Sequence, residues 1–445
     1  MTSTDTSSLD PLACAASHAE RPGTVFLHDG RPGGRQALLV GPRCTIERST
    51  EGRTRIRGTL PRDLGLEDLP PAAWPGRLQS RLPDAASEAP WLAGFLGFEA
   101  GLPAHGVSLG ARARFDLPIA WLGIYDHALV RDGDGPTWIS TFDLGPLDPS
   151  ARRTETAGAE FSGRIGAGRH ADVVRDGSTE RATFLDRAWH RRAIETIHEH
   201  IRRGDVYQIN LTGQVTARTT VHPFEGFRRE IGQNPTRFAA YVRLEHAAIT
   251  SHSPELLLEV RGDELATGPI KGTAPIGQET ALRASAKDRA EHVMIVDLCR
   301  HDLGRIAVPG SVRVDPLMEP LSLRGLTHLV STVRARCMPG RAGAALQSLF
   351  PAGSISGAPK RRALEIIRAV EAEARGPYTG TIGAVCPSGR QDWSIAIRTA
   401  VWQDDAVHFG CGGGIVLDSD PDREFEEARL KARSFFESLG APLEA

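Results

Sequence analysis

Residues 189–212 read WHRRAIETIHEHIRRGDVYQINLT, and the pattern changes at Gly204-Asp205. Before the break, Trp189, Ala193, Ile194, Ile197 and Ile201 recur at spacings of three and four, which predicts a helix with one buried stripe. After it, Val206-Tyr207-Gln208-Ile209-Asn210-Leu211-Thr212 alternates as a half-buried strand, with Gln208, Asn210 and Thr212 on one face. Strands then alternate with helical segments to the C-terminus, the helices at 286–303, 358–374 and 422–439. The expectation is an α+β fold in which helices pack outside antiparallel sheets.

Toward the N-terminus, residues 24–143 hold short apolar runs cut by Gly, Pro and Asp, such as Trp121-Leu122-Gly123-Ile124-Tyr125. They read as a β-rich subdomain of many short strands. Residues 144–181 are mostly polar and read as a linker or long surface loop. Residues 1–23, rich in Ser, Thr, Asp and Ala, read as a disordered leader, because no basic stretch precedes an apolar one as in a signal peptide. Residues 182–445 remain as a larger domain, where the candidate catalytic chemistry falls.

Composition narrows the function. The 445 residues are 40% hydrophobic and 24% charged, ordinary for a soluble globular protein with a large core. A formal net charge of −2 offers nothing to polyanions. The densest basic run, Lys360-Arg361-Arg362, opens an amphipathic helix and reads as a solvated face, so nucleic acid is not an expected partner. No apolar run approaches the ~18 residues of a membrane span. The six cysteines include no Cys-x-x-Cys pair, which argues against structural zinc and gives no ground for disulfides. A cytoplasmic enzyme is the natural reading.

Three features carry candidate chemistry. Asp288 and Glu291 share one face of a predicted helix, and Glu424, Glu427 and Lys431 share a face of another. Carboxylates converging from two helices suit Mg²⁺, which takes oxygen ligands; each stripe alone reads more simply as a salt-bridging surface. Gly412, Gly413 and Gly414 allow a carboxylate or phosphate to approach the backbone closely, the blander reading being a bulge or tight turn. Lys271, in Pro269-Ile270-Lys271-Gly272-Thr273, would be a nucleophile if desolvation lowered its pKa, whereas most lysines in turns are solvated.

These features fall within an ordered series of segments: GDVYQINL (204–211), SPE (253–255), PIKGT (269–273), AKDRAEHVMIVDL (286–298), THLVSTVRA (327–335), GSISGAPK (353–360), IAIRTA (395–400), CGGGIV (411–416) and EFEEARLKA (424–432). In that order, over residues 190–436, the chain resembles the chorismate-utilising enzymes, which include the anthranilate, aminodeoxychorismate, isochorismate and salicylate synthases. The first half resembles them more thinly, through GFLGFEAG (94–101) and GIYDHAL (123–129).

The resemblance implies the fold of that group, antiparallel sheets sandwiched with helices packed outside. It implies that Mg²⁺ joins the ring carboxylate of chorismate to Glu291 and Glu427, with Asp288 and Glu424 nearby. Arg398, Gly412, Gly413, Gly414 and Lys431 would hold substrate carboxylates, with Gln208, Thr273, His328 and Tyr378 also in the substrate site. Glu255 matches the general acid and Lys271 the nucleophile of the members that aminate at C4. Anthranilate synthases carry alanine at the lysine position, and the isochorismate and salicylate synthases carry a lysine base where this chain has Gln208. Together these imply amination at C4 to 4-amino-4-deoxychorismate, on the route to 4-aminobenzoate and folate; anthranilate synthase component I chemistry at C2 is the alternative. Ala274 and Ala352 depart from the usual arginine and glycine, and Arg300-His301-Asp302 from Arg-Asn-Asp. No Leu-Leu-Glu-Ser segment suggests tryptophan feedback. No Gly-x-Cys-x-Gly elbow is present, so ammonia is expected from a partner glutamine amidotransferase subunit.

Overall fold

Asp186 caps the helix read at 189–201: its carboxylate accepts the Ala188 N–H at 2.9 Å, and the helix runs Arg187–Arg202. Ala193, Ile194 and Ile197 are buried on it, and Gly204 follows it at φ 78°. The next strand, Gln208–Arg218, is longer than read from the alternation, and Gln208 to Thr212 are buried on both faces rather than one. Ile209 and Leu211 join the main core. On the opposite face, Thr212 donates from its N–H and hydroxyl to the buried Glu371 carboxylate. The computed structural model describes residues 4–5, 9–31, 33–82, 86–110, 113–142, 144–145, 147, 161–162, 165, 177–323, 326–441 and 443.

Among the described residues, two large antiparallel sheets, of eleven and ten strands, and a third of three make up the architecture. Alternation along each strand assigns its residues to two layers. Val25, Leu39, Val242 and Ile249 of the larger sheet join Ile46, Leu92, Leu258 and Trp393 of the smaller one in a single core. Phe26, Leu38, Tyr241 and Trp402 face the other way. They pack in a second cluster with Phe224 and Phe227 of the Pro223–Gln233 helix and Phe435 and Phe436 of the Pro421–Ser438 helix. The α+β sandwich with outer helices is therefore as expected.

The segments delimited by composition share these sheets. The Val25–His28 strand pairs with Phe238–Arg243, and Leu92–Leu96 pairs with Thr381–Val385. Strands from 24–143 thus complete both large sheets and share the core of the later residues.

Within the stretch read as a disordered leader, Pro11–Ser17 is a helix. Asp10 caps it by accepting the Ala13 N–H at 3.0 Å, and Cys14 and Ala15 are buried beneath it. Tyr241 donates its hydroxyl to the Ala19 carbonyl at 2.8 Å, tying the stretch to the larger sheet. Of the proposed linker, residues 146, 148–160, 163–164 and 166–176 lie outside the described residues. Leu144, Leu147, Phe161 and Ile165 are buried rather than on a surface loop.

The three-stranded sheet is small but carries Lys271. It consists of Glu319–Leu323, Leu326–Val330 and Ile270–Pro275. Leu282, Met318 and Leu329 form a separate apolar cluster beneath it.

Candidate active site

Lys271 reaches the site through a bulge. Lys271 pairs with Leu329 and Thr273 with His328, so the register slips by one residue at Gly272, which sits at φ 75°. A Cβ on Gly272 would come 3.2 Å from Leu282 Cδ1 and 3.5 Å from Asp288 Oδ1, so glycine lets this strand lie against the first acidic helix, Ala286–Gly304.

Beyond the bulge the lysine amine crosses to the glycine run. A Cβ on Gly414 would be 3.2 Å from Lys271 Nζ and 3.0 Å from Gln208 Nε2. The amine and the amide therefore share the space that the missing side chain leaves. Burial lowers the Lys271 pKa and the Lys431 ammonium acts in the same direction, while Glu291, Glu255 and Glu427 oppose it. Gln208 is fully buried, and neither its Nε2 nor its Oε1 has a hydrogen-bond partner. A buried amide left unpaired at both ends is costly, which marks it as a group awaiting a ligand.

Glu255 stands behind this point. Ser253 holds the turn that carries it, donating from Oγ to the Ile395 carbonyl at 2.6 Å and accepting the Glu255 N–H at 3.2 Å. Burial raises the Glu255 pKa to about 7, against the Ser354 hydroxyl, the Lys271 ammonium and the Ile270 N–H, all of which favour the carboxylate. Such a group retains a proton near neutral pH and can donate it.

The glycine run is not a turn. It lies in the Ala406–Ile415 strand, and Gly412, Gly413 and Gly414 pair with Thr212, Leu211 and Asn210. Its register with the strand on its other side stops at Phe409, leaving this edge to the C-terminal helix. Lys431 donates to the Gly412 carbonyl at 2.8 Å and pairs with Glu427 at 2.8 Å. Glu424 Oε2 lies 3.3 Å from where a Gly413 Cβ would be, and its Oε1 accepts from Ser419 at 2.7 Å.

Residues 23–437 match the family described as chorismate binding enzyme. The chain belongs to the chorismate-binding enzyme family. Among its relatives, anthranilate synthase component 1 of Streptomyces coelicolor is 38% identical over 374 residues, covering 78% of this chain and 72% of that one. Aminodeoxychorismate synthase component 1 of Klebsiella aerogenes is 36% identical over 360 residues, covering 78% and 76%. The crystal structure of anthranilate synthase component I from Streptococcus pneumoniae TIGR4 superposes with a TM-score of 0.78 at 27% identity, covering 91% of this chain and 92% of that one. The relatives thus bear two enzyme names at nearly equal similarity. Among the described residues, no helix is long and apolar enough to cross a membrane.

The remaining residues of this chorismate-binding enzyme sit around the same opening to different degrees. His328, on the strand beside Lys271, has its pKa pushed down to about 4 by burial, helped by the Arg398 guanidinium and Lys431 and opposed by the Gly272 carbonyl. Arg398 takes a left-handed φ of 49°, unusual for a residue with a side chain. Tyr378 packs its ring on Gly410, where a Cβ would be 2.0 Å from its Cγ, and so lies further down the strand than Gly412 to Gly414. Thr273 pairs with His328 through its backbone, but its side chain lies outside the described residues.

The acidic rim offers hard oxygen donors from both helices, the chemistry Mg²⁺ prefers. Among the described residues, no three His, Cys, Asp or Glu side chains converge to hold a metal alone. A pair of carboxylates fits an ion that keeps waters and takes substrate oxygens as further ligands.

Reasoning from sequence missed two groups that the fold brings in. Ser354 donates to Glu255 Oε1, and His292, next to Glu291, is fully buried under Lys271 with Nε2 on Ser331 Oγ at 2.6 Å. Both lay inside matching segments, but no local pattern pointed to their partners.

Proposed function

We propose that this chain aminates chorismate at C4 to give 4-amino-4-deoxychorismate, as the chorismate-binding component of an aminodeoxychorismate synthase. The observation that carries the reading is Lys271: a desolvated amine held over Gly414 beside the unpaired amide of Gln208. An amine in that setting is a nucleophile, whereas a neutral amide at 208 cannot serve as the base for a water attack.

In this mechanism the Lys271 nitrogen bonds to ring C2, the two ring double bonds shift, and the C4–O bond breaks. Glu255 gives its proton to the leaving hydroxyl, which departs as water. Ammonia then bonds to C4, the double bonds return, and the C2–N bond breaks to free the lysine. The new C4 ammonium returns a proton to Glu255, so chorismate and ammonia become product and water. Bound Mg²⁺, held by Glu291 and Glu427 with Asp288 and Glu424 beside them, would neutralise the ring carboxylate. Arg398 and Lys431 supply cations for the substrate carboxylates, and the glycine strand lets them approach the backbone.

Ammonia is assigned to a separate glutamine amidotransferase subunit, in keeping with relatives named component 1. Cys411 is not a glutaminase nucleophile: it is buried in a strand, and burial pushes its thiol up to about 12.

The deciding experiment incubates the protein with chorismate, Mg²⁺ and ammonium, then adds aminodeoxychorismate lyase. Formation of 4-aminobenzoate is expected. Fluorescent anthranilate appearing without lyase would instead place this chain with the anthranilate synthases.

A further inference from the structure

Beneath Lys271, separate pieces of chain meet at one hydroxyl. Ser331, just past the Leu326–Val330 strand, is fully buried. Its Oγ lies 2.6 Å from His292 Nε2 and accepts the Met318 N–H at 2.9 Å. Its own N–H donates to the Pro269 carbonyl at 3.1 Å, and Pro269 leads directly into the strand that bears Lys271. His292 is the chain neighbour of Glu291 on the Ala286–Gly304 helix. The His292–Ser331 bond therefore ties the helical turn carrying Glu291 to the base of the strand carrying Lys271.

That base matters because the register is interrupted immediately afterwards, at Gly272. Lys271 is held between the Pro269 anchor and the bulge, and its long side chain must still place Nζ over Gly414. A small error at the Cα is carried out to the amine, and misplacements near 1 Å cost about 100-fold in rate.

We propose that the His292–Ser331 hydrogen bond positions Lys271, fixing the strand that bears the amine against the helix that bears Glu291 so that both groups address the same substrate. The proposal rests on the reading of Lys271 as nucleophile. His292 and Ser331 are positioning residues and touch none of the reacting atoms.

The test uses the full-length protein with chorismate and Mg²⁺ but no ammonium, so that the lysine adduct, heavier than the protein by chorismate less water, accumulates and is timed by intact-protein mass spectrometry. Coupled assays with ammonium give kcat and KM in parallel. Ser331→Ala and His292→Leu are each expected to slow adduct formation and kcat roughly tenfold, with chorismate KM changed less than about twofold. The double variant should lose no more than His292→Leu alone, because the bond to Ser331 is already missing there. His292→Gln, whose amide can reach the same hydroxyl, should recover most of the rate. If His292→Leu does not fold, the contrast of Ser331→Ala with His292→Gln decides.

A wild-type adduct that forms at an unchanged rate in Ser331→Ala overturns the positioning proposal and leaves the nucleophile reading standing. No adduct in the wild type, together with undiminished product from Lys271→Ala, overturns both.

Discussion

Ser354 Oγ donates to Glu255 Oε1 at 2.8 Å, between two buried side chains 99 residues apart in the chain. The bond stabilises the carboxylate, so it restrains a pKa that burial alone would drive higher than about 7. Glu255 must be protonated to act as an acid, and that form is lost as pH rises through its pKa. Ser354→Ala is therefore expected to move the alkaline limb of the kcat/KM profile upward by roughly one unit. A limb that stays in place would show that Glu255 does not set it.

Lys271→Ala removes the proposed nucleophile. C4 amination is expected to fall by at least about 100-fold, measured by lyase-coupled formation of 4-aminobenzoate. Turnover equal to the wild type would remove the covalent step from the mechanism.

Gly414→Ala tests the shared space directly. The added methyl would meet Gln208 Nε2 at 3.0 Å and Lys271 Nζ at 3.2 Å, and Gly414 has no left-handed φ to strain. Activity is expected to drop roughly tenfold by a shift of the amine of a few tenths of an ångström, with little change in melting temperature. Full activity in a well-folded variant would place the amine elsewhere during catalysis.

Glu427 is exposed and pairs with Lys431 at 2.8 Å, and an exposed ion pair contributes little, so Glu427→Gln should leave stability within about 1 kcal/mol. The Mg²⁺ concentration for half-maximal activity is expected to rise by about tenfold or more through loss of an anionic oxygen ligand. A magnesium titration that matches the wild type would free Glu427 from that role.

Lys360 and Asp302 form a buried ion pair at 2.7 Å, with both side chains 7% exposed. Lys360→Met strands the Asp302 carboxylate and is expected to cost about 3–5 kcal/mol in urea unfolding. The double variant Lys360→Met, Asp302→Leu should recover a large part of that loss. Equal stability of the single variant and the wild type would contradict the pairing.

What was legible in the sequence was periodic or carried by chemistry within a few residues. The Arg187–Arg202 helix, the paired acids at 288 and 291 and at 424 and 427, and Lys271 beside Gly272 all have local signatures. The Pro11–Ser17 helix had one too: Asp10 before Pro11 is a strong helix start, but the small Ser, Thr and Ala residues around it hid the burial of Cys14. From sequence the glycine run supports either close approach by a carboxylate or phosphate or a bulge or tight turn, and glycine's weakness in strands hides the strand it forms. Here Gln208, Lys271, Lys431 and Glu424 fill the room that side chains would occupy. Ser354 beside Glu255, and Ser331 beside His292, were beyond reach because only the strand order brings those segments together.

That strand order also limits how the protein can be divided. A gene cut near residue 182 would separate Val25–His28 from Phe238–Arg243 and Leu92–Leu96 from Thr381–Val385, and each fragment would display raw hydrogen-bonding edges of the kind that drive aggregation. The half that bears Lys271 and Glu427 is not a module to be expressed, grafted or evolved alone; its partner in folding is the other half of its own chain.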